Sequence, residues 1–167
     1  ALYDKDTKDI ILARDRVGEK PLYYGTVNGQ FVFCSDVGML KAYPGFAGEL
    51  EPQAVQAYLR YGYVPAPMSI YKDVYKCKPG TYIKASYPYK DWKECVYYDL
   101  VKEYVKAKEN PFTGTITDAV DELDKVLKNA VQSQMMADVP LGAFLSGGID
   151  SATVVAMMQS LQNDKIK

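Results

Sequence analysis

The chain has 167 residues, with 20 basic and 21 acidic side chains, so its net charge of −1 gives no overall attraction for nucleic acid or an anionic membrane. Apolar residues make up 48% and charged residues 25%, a globular composition that excludes disorder, collagen and a disulfide scaffold. The chain contains no histidine, which excludes a Ser-His-Asp triad and a His-ligated zinc site.

The three cysteines, Cys34, Cys77 and Cys95, lie far apart and form no CxxC pair, which favours a reducing, cytoplasmic compartment. No apolar run approaches the roughly 20 residues that a membrane helix needs, and no charged-then-apolar leader is visible. Residues 1–4 resemble the end of a strand and residues 164–167 the start of another. We therefore expect a fragment cut at both ends.

The first hundred residues predict an antiparallel, strand-rich domain. Residues 10–13 form a short apolar segment that we expect to pair with Leu2-Tyr3 in a hairpin. Asn28-Gly29 is the strongest short hairpin signal in the chain, and it joins a strand that starts at 21–24 to a returning strand at 31–34.

A helix and a further strand pair follow. Pro52 suits the first helical position and predicts a helix over 52–61. Three apolar residues of this helix share one face: Val55, Tyr58 and Leu59. Residues 82–84 are expected to pair with 96–98 across a polar loop.

Residues 101–114 are charged and end in Asn-Pro-Phe-Thr-Gly, which predicts a linker over 101–115 and a domain boundary. Thr117 is the expected N-cap of an amphipathic helix that runs through Met135. Two acid-to-base pairs four residues apart support this helix: Asp121 with Lys125, and Asp124 with Lys128.

The last third of the chain predicts the order helix, strand, glycine loop, helix. A buried strand is expected over 139–145, a turn over 146–151 and a helix over 152–161. This order is typical of the opening of an α/β domain with a parallel sheet.

The glycine loop carries the chemistry. Ser146-Gly147-Gly148-Ile149-Asp150-Ser151 opens a helix, whose first N–H groups have no internal partner and attract anions. The glycines let an anion approach the amides and the serines add hydroxyl donors, so the loop predicts a phosphate cradle. Asp150 implies a cation there too, most simply Mg²⁺. The loop has neither Walker A nor dinucleotide-binding spacing. The alternative is a glycine-rich turn that only caps the helix.

The pattern SGGxDS resembles the PP-loop of ATP pyrophosphatases. Together with residues 138–145 before it, this loop resembles the corresponding segment of the glutamine-hydrolysing asparagine synthetases. Residues 13–24 resemble the RDxxGxKPLYY segment in the class II glutaminase domain of the same family. Tyr63-Val64-Pro65 and Lys78-Pro79-Gly80 fit the later glutaminase region, so the resemblance covers essentially the whole chain.

The resemblance implies an α+β antiparallel sheet over residues 1–100, the C-terminal part of an Ntn-type class II glutamine amidotransferase sandwich. Residues 101–115 would be a linker. Residues 116–167 would be the truncated N-terminal start of the synthetase domain, the first helix-strand-loop-helix of an α/β parallel-sheet PP-loop fold. The implied partners are aspartate, glutamine and ATP, with no nucleic acid and no membrane, and a homodimer is left open.

For function, the resemblance implies that an N-terminal Cys releases ammonia from glutamine, while ATP and Mg²⁺ activate aspartate as β-aspartyl-AMP. Ammonia then gives asparagine, AMP and diphosphate. That nucleophile and the aspartate-binding residues are missing here, and no internal cysteine can replace a chain-terminal one, so we assign no catalytic residue. The nucleotide-binding positions that match are Leu145, Ser146, Gly147, Gly148, Asp150 and Ser151, with Asp150 as the metal ligand.

Two alternatives remain open. A sibling ligase, such as a β-lactam synthetase or an amidotransferase of surface-polysaccharide clusters, would act on another carboxylate with the same two domains. A glutaminase-like half without its cysteine could instead be a non-catalytic interaction module. The isolated chain is expected to have no synthetase activity and weak affinity for ATP. Arg14 and Asp15 are expected to form a turn salt bridge, or else to lie near the glutaminase–synthetase interface.

Overall fold

The computed structural model describes residues 1–163, 165 and 166. Over these residues the chain forms two compact units, Ala1–Glu109 and the part that begins at Asn110, and each is described by itself. None of the described helices is long and apolar enough to cross a membrane. The strand predicted at 164–167 involves residues 164 and 167, which lie outside the described residues.

The first unit is built on antiparallel sheets, as predicted. Its seven strands are β1 (Leu2–Tyr3), β2 (Asp9–Ala13), β3 (Tyr23–Val27), β4 (Gln30–Cys34), β5 (Val74–Lys76), β6 (Thr81–Ser86) and β7 (Trp92–Val96). Its helices are a 3-10 helix (Val37–Ala42), α1 (Pro52–Tyr61) and α2 (Leu100–Glu109). One sheet has the order β1-β2-β6-β7 and the other β4-β3-β5. This confirms the α+β class with antiparallel sheets.

Both predicted hairpins are confirmed. Leu2 lies opposite Ile11 in the β1–β2 pair. The turn between β3 and β4 places Asn28 at φ 50° and Gly29 at φ 73°. Two left-handed residues in a row match the twist of the flanking strands, which is why Asn-Gly is favoured there.

Residues 82–84 do pair with a strand across the following loop, but their partners are residues 93–95 and not the predicted 96–98. Tyr82 lies opposite Cys95 and Thr81 opposite Val96, where β7 ends. The amides of Tyr97 and Tyr98 both donate to the carbonyl of Gly80, at 2.9 and 3.1 Å. These two bonds fold the chain back over the start of β6 and end the ladder.

The two sheets of the first unit pack on each other through one apolar cluster. Leu12 and Ile83 of the four-stranded sheet are fully buried, and they contact Tyr24 of the three-stranded sheet and Cys77. The Trp92 ring meets Tyr24 edge-on, with 5.6 Å between ring centroids. Each fully buried aliphatic side chain contributes about 1.5–3 kcal/mol to folding, so this cluster holds the sheets together.

The other face of the three-stranded sheet has its own core. Val27 is three residues from Tyr24 in β3, so the two side chains point to opposite faces. Val27, Val32 and Val74 pack against Leu40 of the 3-10 helix. The three-stranded sheet is therefore covered on both faces. The face that carries Val27 also borders a cavity.

Helix α1 has the predicted bounds but a different buried face. The Glu51 carboxylate caps it by accepting the amide of Gln53, and Gly62 ends it at φ 76°. Ala54 and Ala57 are buried, whereas Leu59 is 80% exposed. The helix therefore buries two small alanine side chains rather than the apolar face that the sequence predicted.

The second unit contains α3 (Ile116–Gln134) and α4 (Ile149–Ser160), which contact each other. Thr115, not Thr117, is the N-cap of α3. Its hydroxyl accepts the Asp118 amide at 3.2 Å, and the Asp118 carboxylate accepts the Thr115 amide at 2.9 Å. This reciprocal capping box satisfies two amides at once, which explains why the helix starts earlier than predicted.

Only one of the two predicted acid-to-base pairs forms on α3. Lys128 is 2.7 Å from the carboxylate of Asp124, as expected. Lys125 instead lies 3.6 Å from Glu122, so its predicted pairing with Asp121 is wrong. Three- and four-residue spacings both place side chains on one helix face, so the sequence alone left the choice of partner open.

The predicted buried strand over 139–145 is not a strand in this structure. Val139 is 71% exposed and Phe144 fully exposed, and no described residue of the second unit forms a ladder with this segment. A strand exists only through hydrogen bonds to a neighbouring strand. The following helix α4 begins at Ile149, three residues before the predicted start at 152. The parallel-sheet PP-loop fold therefore stays a prediction.

The predicted linker 101–115 includes a helix. Helix α2 belongs to the first unit and ends at Glu109. The Asp99 carboxylate accepts the amides of Val101 and Lys102 at 3.0 and 3.2 Å, which caps this helix. Charged residues with good helix propensity explain why this stretch is not irregular. The domain limits themselves remain predictions.

Candidate functional site

The candidate site is the loop of residues 146–151 at the start of α4. Gly147 lies at φ 79°, a left-handed conformation that favours glycine. Gly148 is the N-cap of α4 and supplies no side-chain hydrogen bond to the helix. The first amides of a helix have no partner within the helix. The start of α4 therefore offers backbone donors to an external acceptor.

Two serine hydroxyls lie beside these amides. Ser146 Oγ and Ser151 Oγ are 2.8 Å apart, and the Ser151 hydroxyl also donates to the Gly148 carbonyl at 3.1 Å. A Cβ added to Gly148 would lie 3.6 Å from Ser146 Oγ and 3.9 Å from Ser151 Oγ. The missing side chain thus leaves open a small cradle lined by hydroxyl and amide donors, which fits a phosphate group.

The structure brings five of the predicted site residues together as consecutive parts of this cradle: Ser146, Gly147, Gly148, Asp150 and Ser151. Leu145 precedes them, with its side chain 64% exposed. Asp150 is exposed in the first turn of α4. That these residues bind a nucleotide stays a prediction.

The donor set around Asp150 limits what metal it could hold. The described residues contain no cluster of three or more Cys, Asp or Glu that could enclose a metal ion. A single carboxylate suits Mg²⁺, which is commonly held by one or two carboxylates together with phosphate oxygens and water. Asp150 therefore fits a metal that arrives with a phosphate.

In the first unit, Arg14 and Asp15 do not form the predicted salt bridge. The Arg14 guanidinium donates to the carbonyls of Lys20, Cys77 and Gly18, at 2.9, 2.6 and 2.8 Å. The Asp15 carboxylate accepts amides instead, two of them from Glu19 and Lys20 at 2.9 and 3.0 Å.

Amide hydrogen bonds, led by that of Lys20, hold the pKa of Asp15 below its usual value. Backbone groups satisfy both side chains, within the loop and, for Arg14, also at Cys77. The two side chains therefore order residues 14–20 and do not bind each other.

The cysteines are not arranged for nucleophilic chemistry. All three are free thiols, and Cys77 is fully buried beside the Thr81 hydroxyl, 3.4 Å away. Burial raises the pKa of both Cys77 and Cys34 above the usual value. Cys34 and Cys95 are half-buried. Partial or complete burial suits all three to packing as small apolar residues.

Sequence reasoning overlooked one residue, Lys76. It lies two residues after the buried Val74 in β5, so both side chains point to the same face of the sheet. Its ammonium nitrogen lies 5.7 Å from the centre of the Tyr23 ring, on the neighbouring strand. A lysine in register with a core valine was the signal that could have identified it.

Two family profiles match the chain. The family described as glutamine amidotransferase domain matches residues 1–98, and the family described as asparagine synthase matches residues 122–167. The first match covers more than half of the chain and coincides with the two-sheet unit.

Several relatives are similar over nearly the whole of this chain. "Asparagine synthetase 1", described as glutamine-hydrolyzing, from Bacillus subtilis is 33% identical over 156 residues, 93% of this chain and 23% of that protein. "Amidase chyE" from Penicillium rubens is 32% identical over 167 residues, 99% of this chain and 24% of that protein. "Amidase chry2" from Gibberella zeae is 32% identical over 161 residues, covering 96% and 23%.

The chain spans about a quarter of the length of these relatives. Their similarity crosses from the first matched region into the second without a change of order. The chain therefore belongs to the glutamine amidotransferase domain family and spans the glutaminase–synthetase junction of the glutamine-hydrolysing asparagine synthetases.

Proposed function

We propose that the whole protein is a glutamine-dependent asparagine synthetase, which uses ATP, aspartate and glutamine to make asparagine, AMP, diphosphate and glutamate. Two matches in one chain support this, one to a glutamine amidotransferase domain and one to asparagine synthase. The first supplies nitrogen and the second a place to activate a carboxylate. The B. subtilis relative carries the same combination in its name.

The observation that carries the proposal is the open start of α4. Gly148 gives the helix no side-chain cap, and two serine hydroxyls meet beside it. An amide cannot form from a free carboxylate until a good leaving group replaces its oxygen. Fixed amide and hydroxyl donors stabilise the negative charge that builds up on departing diphosphate.

Asp150 and the rest of the loop would have separate roles in binding ATP. The amides at the start of α4, with Ser146 and Ser151, would hold and orient the phosphates of ATP. Asp150 would hold Mg²⁺ through its carboxylate. When bound, Mg²⁺ supplies positive charge to the phosphate oxygens. The chemistry on the aspartate side depends on residues outside this chain.

A second function is favoured by a specific observation. Two fungal relatives named amidases are as similar to this chain as the synthetases are. A sibling enzyme that amidates or cyclises another carboxylate would share the glutaminase region and the phosphate loop. The acceptor carboxylate, not the loop, distinguishes the two functions.

The decisive experiment supplies the whole protein with glutamine, ATP labelled in its α-phosphate, and aspartate. We expect labelled AMP and asparagine in equal amounts. AMP formed only with another carboxylate would favour the sibling enzyme. No AMP with any carboxylate would favour a non-catalytic module and contradict both ligase assignments.

A loop variant links the reaction to the cradle. Gly148 has φ −80° and ψ 157°, which other residues adopt freely, so Gly148→Val should fold while its side chain covers the amides. Losing such donors commonly costs about 100-fold or more in rate. Ala156→Val, an exposed position of the same helix, is the matched control.

The 167-residue chain alone should bind weakly. Its loop is exposed, and a single surface cradle without enclosing walls supports affinities of about 1 mM. We expect diphosphate and ATP to bind this chain with similar affinity in calorimetry, because only phosphates are contacted. Tight binding of ATP alone would contradict this.

A further inference from the structure

The first unit contains a cavity that the proposed function does not use. Its volume is 460 Å³, within the size range of small-molecule sites. It lies between β3, β5 and the segment that follows α1. The residues that line it include Tyr23, Tyr58, Tyr63, Val64, Ile70 and Lys76.

Lys76 is the one charged residue among those that line this cavity, whose other lining residues are aromatic or aliphatic apart from Gly62 and Ser69. Its ammonium donates to the carbonyl of Val64 at 2.5 Å and sits over the Tyr23 ring. Among the described residues no carboxylate forms an ion pair with it. Lysine has three N–H donors, so the carbonyl and the ring leave donor capacity toward the cavity.

The environment of Lys76 disfavours its own charge. Partial burial, followed by the nearby charge of Arg14, lowers its pKa below the usual value. A half-buried cation without a counter-ion has lost part of its hydration, and no opposite charge compensates for that loss. An anion in the cavity would supply the missing opposite charge.

The rest of the cavity specifies what kind of anion fits. The walls are mainly apolar, and a single ammonium matches a single negative charge. Phosphate carries more charge and usually needs several donors or an arginine fork. A carboxylate with an aromatic or branched apolar body matches both the charge and the walls.

We propose that this cavity is a binding site for a small monocarboxylate with an apolar body, whose carboxylate pairs with Lys76 and whose body lies against Tyr58, Tyr63 and Ile70. The site is made entirely of residues in the first unit. It shares no residue with the phosphate loop, so its test is independent of the ligase assignment.

The test uses two probes of the same shape, phenylacetate and phenylacetamide, added to the 167-residue chain. Binding is followed by NMR of the methyl groups of Val64 and Ile70. We expect saturable shifts of these methyls with phenylacetate and at least about tenfold weaker binding of the neutral amide, since hydrogen bonds to charged groups discriminate by about this factor or more.

Variants assign the effect to the ammonium. Lys76→Met keeps the apolar stem and should weaken phenylacetate binding to the level of phenylacetamide. Lys76→Arg should retain binding within a few-fold. Lys93→Met, at an exposed lysine in β7, is the control and should leave binding unchanged.

Equal affinity for the two probes, or shifts confined to residues away from the cavity, would overturn the proposal. Unchanged phenylacetate binding by Lys76→Met would do the same. If that variant fails to fold, the comparison of the two probes on the unaltered chain still decides.

Discussion

Arg14 and Cys77, 63 positions apart in sequence, are joined by a 2.6 Å hydrogen bond from the guanidinium Nη1 to the carbonyl oxygen. The same guanidinium binds the carbonyls of Gly18 and Lys20. One side chain therefore fastens the loop after β2 to the segment that leads into β6, between the two sheets of the first unit.

Replacing Arg14 with Met should destabilise the first unit by about 2–4 kcal/mol. Three carbonyls lose a hydrogen bond from a charged donor, each worth at most about 1.5–3 kcal/mol, and the total is smaller than their sum because water reaches these exposed or partly buried groups and replaces part of each bond. Denaturant unfolding measures the change. Arg16→Ala, which removes a ring contact with Tyr98, should cost about 0.5–1 kcal/mol. Equal losses for both variants would show that the three-carbonyl arrangement carries no special weight.

Two glycines with similar backbone conformation should respond very differently to substitution. Gly80 has φ 65°, and an added Cβ would lie 2.2 Å from the carbonyl oxygen of Tyr98. Gly29 has φ 73° and open space around it. Gly29→Ala should cost about 1 kcal/mol from the left-handed conformation alone. Gly80→Ala should cost at least about 2 kcal/mol more, because backbone must move.

Thermal unfolding of the two alanine variants measures this difference. The shared positive φ makes Gly29 the internal standard for conformational strain. Similar losses at the two positions would mean that the Tyr98 carbonyl moves aside at little cost.

The capping box of α3 makes a prediction about two threonines two residues apart. Thr115→Ala removes the hydroxyl that accepts the Asp118 amide and should cost about 1 kcal/mol of helix stability. Thr117→Ala lies inside the helix, where alanine is the better helix former, and should be neutral or slightly stabilising. Circular dichroism during denaturation compares the variants. A larger loss at Thr117 would place the helix start where the sequence predicted it.

Acid should weaken the first unit through Asp9. Its carboxylate is nearly buried and accepts from Lys84 at 2.8 Å and from the Ser86 hydroxyl at 2.5 Å, and these contacts lower its pKa to about 2. The unfolded value is about 3.9. Because the folded pKa is depressed, the stabilisation is complete above the unfolded value and is lost as the pH falls toward 2.

Asp9→Asn should therefore flatten the fall in stability between about pH 4 and pH 2, measured by urea unfolding at each pH. Asp91→Asn, at an exposed carboxylate in the turn between β6 and β7, is the control and should keep the slope of the unaltered chain. A steep acid dependence that persists without the Asp9 carboxyl would assign it to other groups.

Local signals predicted the features that depend on neighbouring residues only. Asn28-Gly29 determines its hairpin because its two left-handed residues are rare outside that turn. Pro52 and Gly62 similarly mark the ends of α1. These signals act within four residues, so they survive in any tertiary context.

Features that depend on distant partners could not be predicted. The buried face of α1 is the alanine face, and which face a helix buries depends on residues distant in the sequence. Residues 139–145 have the composition of a buried strand, yet a strand needs a neighbour to hydrogen-bond. For the candidate site, the glycine and serine pattern gave the loop and its place before a helix. The contact between the Ser146 and Ser151 hydroxyls could not be predicted, because it depends on the conformation of the loop.

The attachment of residues 14–20 to residues 77–80 has a consequence for protein engineering. The Asp15 carbonyl accepts the Gly80 amide at 2.9 Å, and Gly18 leaves room for the Pro79 ring. Because the two segments pack directly on each other, a chimera that takes only one of them from a homologue should lose these contacts. A chimera that takes both segments together should keep them, so the two are best exchanged as a pair.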